Sequence, residues 1–203
     1  MRIALIGATG FIGSRLLAEL VRRGHRVTAI ARNPAKVPAG PGVSAKAADI
    51  HEEEGLAAAL AGHDAVISSV HFSASDPLKL LSAVKRSGAA RYLVVGGAGS
   101  LEVAPGLKLY DTDDFPAQYR DEAKRGGAYL ERLEGEGELD WTFLSPAALI
   151  EPGERTGRFR LGRDQLLLDG AGQSRISAED YAVAMIDELE RPAHRRQRFT
   201  VAY

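Results

Sequence analysis

The sequence MRIALIGATGFIGSRLLAEL, residues 1–20, decides the fold. Its apolar run 2–6 predicts a short buried strand, and the amphipathic residues from Phe11 onward predict a helix. Three glycines in the spacing G-x-x-G-x-x-G separate the two elements, namely Gly7, Gly10 and Gly13. A strand, a glycine turn and a helix in this order form the first unit of a mainly parallel α/β sheet.

The glycine turn predicts a dinucleotide-binding site. The first glycine of such a turn permits a tight bend, the second lets the backbone approach a pyrophosphate, and the third lets the helix pack against the strand. The first turn of the helix adds unpaired N–H groups and the positive end of the helix dipole. We expect the cofactor phosphates to contact Gly7, Thr9, Gly10, Phe11, Ile12 and Gly13. The alternative is a glycine-rich turn with structural duties alone.

The stretch TAIARNPAK at 28–36, which covers the end of the second predicted strand and the residues after it, favours NADP(H) over NAD(H). An NAD-preferring site normally has Asp or Glu about 20 residues after the glycines, where it accepts from the ribose hydroxyls. The chain has Arg32 instead, which can pair in forked geometry with a 2′-phosphate, and Lys36 is a candidate helper. Asp49, after the third predicted strand, suits the adenine edge. A solvated Arg32 is the alternative, and NAD(H) is then an acceptable cofactor.

The remaining apolar runs alternate with helical stretches, which predicts an α/β fold with a doubly wound parallel sheet, the NAD(P)-binding Rossmann fold. Right-handed connections give the strand order 3-2-1-4-5-6, with ligands bound at the carboxyl ends of the strands. The predicted strands span residues 2–6, 26–31, 43–47, 65–69, 92–95 and 141–144, and the predicted helices span 11–23, 52–61, 77–87 and 116–135.

The last quarter of the chain breaks this alternation. Residues 159–161 and 165–168 predict a hairpin among glycine-rich turns. Ser177 and Asp180 resemble a capping box that begins a helix to about residue 190, and QRFTVAY predicts a closing strand. We expect a single domain, residues 1–203, in which this small hairpin and helix elaboration, about 146–203, lies on the substrate side.

Composition argues against several other classes of function. The chain of 203 residues has 26 Lys and Arg against 27 Asp and Glu and a net charge of -1, so no overall charge attracts nucleic acid or an anionic membrane. It has no Cys, no paired His spacing that suits zinc, no G-x-S-x-G elbow and no apolar run that approaches a membrane span. We expect a cytoplasmic monomer or homodimer that binds a small-molecule substrate, without a metal, nucleic acid or membrane partner.

Four motifs carry a family resemblance over nearly the whole chain. They are IALIGATGFIG at 3–13, VVGGAGSL at 94–101, LDWTFLSPAALIEPGERTG at 139–157 and SRISAEDYAVAMIDELE at 174–190. Together they resemble the atypical, NmrA-like short-chain dehydrogenases/reductases, and within them the NADH-flavin reductase group related to biliverdin IXβ/flavin reductase. The resemblance implies an NAD(P)H-dependent reductase that hands hydride to a free flavin or similar flat acceptor. FMN or FAD would then be a substrate and not a bound prosthetic group.

The resemblance also implies where the nicotinamide lies. In such folds it crosses the ends of strands four to six, where the chain has Ser69, Val70, Gly97, Ala98, Ser145 and Pro146. Ser100 lies near the position of the superfamily's usual catalytic serine, and His71 could donate a proton to a bound ring. The alternatives are that the glycines serve backbone conformation alone and that His71 is solvated.

The sequence QYRDEAK, residues 118–124, comes close to the Tyr-x-x-x-Lys pair of short-chain dehydrogenases. In a helix, positions i and i+5 lie about 140° apart, so Tyr119 and Lys124 diverge and Ala123 holds the position near the tyrosine. An oxidised flavin needs no such pair, because its ring delocalises the arriving charge and takes a proton from water.

The catalytic residues are therefore unassigned, with His71, Ser100 and Tyr119 as candidates. Two other functions stay open. One is a non-catalytic dinucleotide sensor of the NmrA-like type. The other is an epimerase or dehydratase that acts on a nucleotide sugar.

Overall fold

The computed structural model describes residues 1–203 as twelve strands and five α-helices. The strands are β1 (Arg2–Ile6), β2 (Arg26–Ala31), β3 (Val43–Ala47), β4 (Ala65–Ser68), β5 (Arg91–Val95), β6 (Glu102–Ala104), β7 (Leu107–Lys108), β8 (Trp141–Ser145), β9 (Leu149–Glu151), β10 (Arg160–Gly162), β11 (Arg175–Ser177) and β12 (Gln197–Ala202). The helices are α1 (Phe11–Arg22), α2 (Glu53–Leu60), α3 (Pro77–Ser87), α4 (Ala117–Glu134) and α5 (Ala178–Glu190). None of the five helices combines the length and apolar character that a membrane crossing requires.

The strands β1, β2, β3, β4, β5 and β8 form the predicted parallel sheet. Their spatial order, β3-β2-β1-β4-β5-β8, is the expected 3-2-1-4-5-6, and β12 and β10 extend the sheet beyond β8. Within this sheet only β10 runs antiparallel to its neighbour. The direction of winding changes between β1 and β4, which opens a crevice at the carboxyl ends of the strands. The predicted fold class is confirmed.

Two hydrophobic clusters, one on each face of the sheet, hold the helices against it. Ile3 and Leu5 of β1 face the cluster built with α1 and α5, whereas Ala4 and Ile6 face the cluster built with α2, α3 and α4. This alternation is the side-chain period of a strand. Because β1 is buried on both faces, its residues form a continuous apolar run that is recognisable in the sequence.

The predicted hairpin of residues 159–161 and 165–168 is wrong. β10 pairs antiparallel with β12, with Leu161 opposite Val201, and residues 165–168 form no strand. The outer edge of β12 would otherwise expose unpaired backbone groups, and β10 satisfies them. Gln165 instead makes an isolated bridge with Glu102.

The rest of the C-terminal elaboration follows the prediction and adds a small second sheet. The Ser177 hydroxyl accepts from the backbone N–H of Asp180 at 3.0 Å at the start of α5, and β12 is the predicted closing strand. β9 and β11 form a two-stranded parallel sheet with Leu149 opposite Arg175. This small sheet holds residues 149–150 beside the crevice.

A buried ion-pair cluster joins the elaboration to α1. Glu19 of α1 is only 3% exposed, and its carboxylate accepts from the side chains of Arg23 and Arg155, with N···O distances of 2.7 Å. Arg155 lies in the connection between β9 and β10. The hydrogen bonds from Arg155 and Arg23 lower the pKa of Glu19 to about 2, against the opposing effect of burial. The cluster therefore holds this connection against the helix that follows the glycine turn.

Replacing Glu19 by Gln tests this cluster. Glu19 has a lower pKa in the folded protein than in the unfolded chain, so its contribution to stability is present above about pH 4.5 and is lost as the pH falls toward about 2. We expect Glu19→Gln to lower the free energy of unfolding by roughly 2–3 kcal/mol near pH 7, and by about half as much near pH 3. Urea unfolding followed by circular dichroism measures both values.

Glu54→Gln is the control for this substitution. Glu54 pairs with Arg86 at 3.5 Å, and its side chain is 87% exposed. Exposed pairs of this kind contribute about 0–1 kcal/mol. Equal losses of stability in the two variants would contradict the role assigned to Glu19.

Candidate active site

One cleft at the carboxyl edge of the sheet gathers most of the predicted site residues. Its volume is about 1460 Å³. Residues that follow six parallel strands contribute to its lining: Gly7 after β1, Arg32 after β2, Asp49 after β3, Ser69 after β4, Gly96 after β5 and Pro146 after β8. The opposite wall comes from residues 109–116 and from α4. The cleft therefore lies where the direction of winding changes, as expected for a ligand site in this fold.

Most predicted cofactor contacts line this cleft: Gly7, Thr9, Gly10, Phe11, Ile12, Arg32, Asp49, Ser69, Val70, Gly97, Ala98 and Pro146. Two of the candidate catalytic residues, His71 and Tyr119, line it as well. Four predicted site residues lie outside the lining: Gly13, Lys36, Ser100 and Ser145.

Two of the turn glycines are required by close packing. Gly7 has a φ of +82°, and a Cβ atom there would lie 2.1 Å from the carbonyl oxygen of Ser69. A Cβ atom on Gly13 would lie 2.0 Å from the carbonyl oxygen of Gly7. Gly10 differs, because its φ is -76° and an added Cβ would lie 3.3 Å from the same oxygen. Gly7 and Gly13 are therefore required by the fold, whereas a side chain at Gly10 would be tight against the Gly7 carbonyl but would need only a small shift.

The N-terminus of α1 faces the cleft without a capping side chain. Gly10 is the N-cap, it makes no side-chain cap hydrogen bond, and the first turn has no acidic residue. The first N–H groups of a helix have no partner within the helix. Phe11 and Ile12 of this turn line the cleft. The turn therefore offers free donors and the positive end of the helix dipole, the combination that binds a phosphate.

Arg32 and Asp49 lie at the end of the cleft formed by β2 and β3. Both line the cleft, and Arg32 is exposed, so its guanidinium is accessible to a ligand. Asp49 Oδ1 accepts from the backbone N–H of His51 at 2.9 Å, which orients the carboxylate. Lys36 lies on the turn Pro34–Lys36, exposed and outside the cleft lining. Arg32 is thus the one Lys or Arg side chain in the lining.

Ser100 and Ser145 are buried away from the cleft. The Ser100 hydroxyl accepts from Arg198 Nη1 at 2.9 Å, and the same nitrogen donates to the Ser100 carbonyl at 3.0 Å. Ser145 is the fully buried last residue of β8, and its hydroxyl has no hydrogen-bond partner. The following residue, Pro146, is the one that reaches the cleft. The expected ligand contacts of Ser100 and Ser145 are therefore not supported, because neither side chain faces the cleft.

Helix α4 places Tyr119 in the cleft and Lys124 outside it. Tyr119 is 60% exposed and lines the cleft, as does Ala123 one turn later, whereas Lys124 is exposed and does not. Ala123 packs on Gly99, where an added Cβ would lie 2.6 Å from the Ala123 methyl carbon. The divergence of Tyr119 and Lys124 expected from helix geometry is confirmed. The cleft has no Tyr–Lys pair.

Glu122 is a cleft residue that sequence reasoning missed. Its carboxylate accepts from the backbone N–H of Phe72 at 2.7 Å and of Ser73 at 2.8 Å. His71 Nδ1 lies 3.4 Å from the same carboxylate. Burial acts to raise the pKa of this group, but the hydrogen bonds from Ser73 and Phe72 and the charge of His71 outweigh burial and lower the pKa. Glu122 is therefore ionised near neutral pH, and its one sequence signal is its place three residues after Tyr119 on the same helix face.

The wall opposite the glycine turn is largely apolar. The ring of Phe72 lies 5.5 Å from that of Tyr129 and 6.1 Å from that of Phe143, between centroids. Gly126 lets α4 approach this ring, since an added Cβ would lie 2.9 Å from Phe72. We call this surface the acceptor wall, and its apolar members are Phe72, Leu109, Phe115, Pro116, Tyr119, Leu149 and Ile150. Its aromatic side chains suit a planar ring.

Comparison with known proteins assigns the family. A family model described as NAD(P)H-binding matches residues 7–192. The chain belongs to this family. The Bacillus subtilis protein YwnB is similar to it throughout, with 41% identity over 211 residues that cover 99% of the chain and 98% of YwnB.

Several solved structures, among them the following two, are similar over the whole chain. A candidate epimerase from Bacteroides thetaiotaomicron has 45% identity and a TM-score of 0.95, covering 100% of the chain and 96% of that protein. A candidate NADH-flavin reductase from Streptococcus pneumoniae has 36% identity and a TM-score of 0.86, covering 100% of the chain and 99% of that protein. These findings confirm the resemblance carried by the four motifs, and they support an NAD(P)H-dependent oxidoreductase.

Alanine substitutions at Gly13 and Gly10 should affect different properties, the first mainly stability and the second mainly nucleotide affinity. Gly13→Ala forces a Cβ atom onto the Gly7 carbonyl, so we expect it to lower the free energy of unfolding by more than about 2 kcal/mol. Gly10→Ala suits the backbone φ of -76° and needs only a small shift of the Gly7 carbonyl, so we expect a loss of stability below about 1 kcal/mol and a dissociation constant for NADP(H) raised about tenfold or more. Thermal unfolding and titration calorimetry measure the two effects. A Gly10→Ala variant that binds normally would contradict this placement of the phosphates.

Proposed function

We propose that the protein is an NADPH-preferring reductase that transfers hydride to a free flavin or a similar flat acceptor. The observation that carries this proposal is the composition of the cleft. The cleft has a dinucleotide turn and Arg32 at one end, the acceptor wall at the other, and Ala123 where a catalytic lysine would accompany Tyr119.

Three parts of the lining would hold the nucleotide. The glycine turn and the first N–H groups of α1 bind the diphosphate. Arg32 binds the 2′-phosphate that distinguishes NADPH from NADH, and the neighbouring Asp49 contacts the adenine edge. Gly97 and Pro146, which follow β5 and β8, border the nicotinamide. The chain therefore fixes the nucleotide at several points along the carboxyl edge of the sheet.

A flat acceptor of this kind needs alignment more than acid catalysis. The reduced nicotinamide, when bound, supplies a hydride that delivers two electrons to the acceptor ring, and water supplies the accompanying proton. A ketone would instead become an alkoxide, which requires a positioned acid. Phe72, Phe115 and Tyr119 orient a planar ring by stacking and keep bulk water from it. Because water supplies the proton and the side chains only orient the ring, such a reaction does not need a Tyr–Lys pair in the cleft.

The other candidate functions fit the cleft less well. Epimerase or dehydratase chemistry on a nucleotide sugar would call for the Tyr-x-x-x-Lys pair, and Ala123 replaces its lysine. A sensor that binds the dinucleotide without turnover would use the cofactor end of the cleft, but it has no need of the acceptor wall. We place the reaction in the cytoplasm, where reduced nicotinamide cofactors are regenerated.

Mixing the purified protein with NADPH and a flavin tests the reaction. We expect the absorbance of the reduced nicotinamide to fall with time. Tyr119→Phe and His71→Gln should keep kcat within about threefold of the wild-type value, because neither side chain has to donate a proton. Absence of turnover with every flavin, quinone and bilin tried would remove the proposal. Tight NADP(H) binding without turnover would favour a sensor.

Arg32→Ala tests the choice of cofactor. Loss of the guanidinium removes a contact that only NADPH makes, so we expect the dissociation constant for NADPH to rise about tenfold and that for NADH to stay within about twofold. Titration calorimetry with both nucleotides measures the difference. Lys36→Ala is the control, since Lys36 is exposed and outside the cleft lining. A similar loss of NADH and NADPH binding in Arg32→Ala would refute a 2′-phosphate contact.

A further inference from the structure

The two ends of the cleft differ in charge. At the cofactor end, Arg32 follows β2, and it is the one Lys or Arg in the lining. At the acceptor end, the charged side chains that line the cleft beside the acceptor wall include Asp114 and Glu122. The Lys and Arg charge of the lining is therefore confined to the cofactor end, where Asp49 accompanies Arg32, and the acceptor end has carboxylates without a Lys or Arg.

The sheet keeps Arg32 away from the acceptor wall. Strands β1 and β4 lie between β2, which precedes Arg32, and β5, which precedes Gly99. Helix α4, which carries Glu122, packs on Gly99 through Ala123. Neighbouring strands are about 4.8 Å apart, so three strand spacings, roughly 14 Å, separate the two ends. A ring bound against the acceptor wall therefore lies far from Arg32, and in the proposed function the 2′-phosphate of NADPH already occupies that guanidinium.

Basic residues near the acceptor wall are unsuited to this role. Arg120 donates Nη2 to the carbonyl oxygens of Thr112 at 3.3 Å and Phe115 at 3.1 Å, and it does not line the cleft. Lys124 lies outside the lining as well. His71 does line the cleft, but it lies 3.4 Å from the carboxylate of Glu122. The positive charge that His71 can carry is thus already matched.

We propose that the acceptor is a flat ring system without a phosphate or carboxylate group, of the riboflavin type, and that FMN, FAD and bilins are poor substrates. This inference rests on the proposed function and narrows its substrate class. The phosphate of FMN carries close to two negative charges, and at the acceptor end it would meet the exposed Asp114 carboxylate, while His71 is already paired with Glu122. The protein would then select its acceptor by repelling phosphate- and carboxylate-bearing ring systems as much as by binding the neutral ring.

Comparison of riboflavin, FMN and FAD tests the inference, because the three share one isoalloxazine ring and differ in the attached charge. At saturating NADPH we expect kcat/KM for riboflavin to exceed that for FMN and FAD by about tenfold or more. The difference between riboflavin and FMN should narrow at high salt, which screens charges. Equal values for the three flavins, or a preference for FMN, would overturn the inference while leaving the proposed function in place.

A binding measurement tests the same ranking of riboflavin and FMN independently of turnover. Flavin fluorescence is titrated with the protein saturated with NADP⁺, and riboflavin should bind about tenfold more tightly than FMN. If riboflavin binds preferentially and no flavin is reduced, the proposed function fails and the charge selection stands. If neither flavin binds, the charge selection fails too.

Variants at neighbouring aspartates assign the effect to the cleft. Asp114 is exposed and lines the cleft, whereas Asp113 is exposed and does not. We expect Asp114→Asn to raise the ratio of FMN to riboflavin kcat/KM about threefold and Asp113→Asn to leave that ratio unchanged. Glu122→Gln releases His71 from its carboxylate partner, so it should also raise the ratio, and circular dichroism checks that this variant is folded. Equal ratios in the Asp113 and Asp114 variants would overturn the assignment.

Discussion

The close contact of the glycine turn with its two neighbours is the constraint on which the site depends. Gly7 lies with its Cα against the Ser69 carbonyl, and its own carbonyl lies beneath Gly13 and accepts from the N–H of Gly10 at 3.0 Å. The end of β1 is thereby wedged between the end of β4 and the start of α1. These contacts orient the first turn of α1 toward the crevice between the carboxyl ends of β1 and β4. Side chains at Gly7 or Gly13 would separate these elements and displace the first turn of α1.

The central strands could be predicted because of how they are buried. β1, β4, β5 and β8 have helices on both faces, so their residues form apolar runs that stand out from the helical stretches between them. The hairpin prediction failed because β10 is three residues long and its partner, β12, lies some forty residues further along the chain. A strand so short has no measurable period, and its pairing is decided by which sheet edge is open.

The candidate site could be predicted where it is formed by backbone groups, and less well where it depends on which way a side chain points. The turn residues follow from glycine spacing alone, because the donors that they offer to a ligand are backbone N–H groups. Ser100 lies in the loop after β5 and Ser145 ends β8, yet Ser100 bonds to Arg198 and Ser145 is fully buried. Glu122 has no motif, since its role arises only when α4 meets the loop after β4. Proximity in sequence to a strand end therefore locates the cleft but does not say which side chains enter it.

The short segment 69–73 has an unusual mechanical position. At its beginning Ser69 presses on Gly7 of the nucleotide turn, and at its end Phe72 and Ser73 are tethered to Glu122 on α4. Five residues span at most about 18 Å, so the contacts at the two ends of this pentapeptide lie close together. In the proposed function, this one stretch of backbone would therefore help to set the spacing between the bound nucleotide and the bound acceptor.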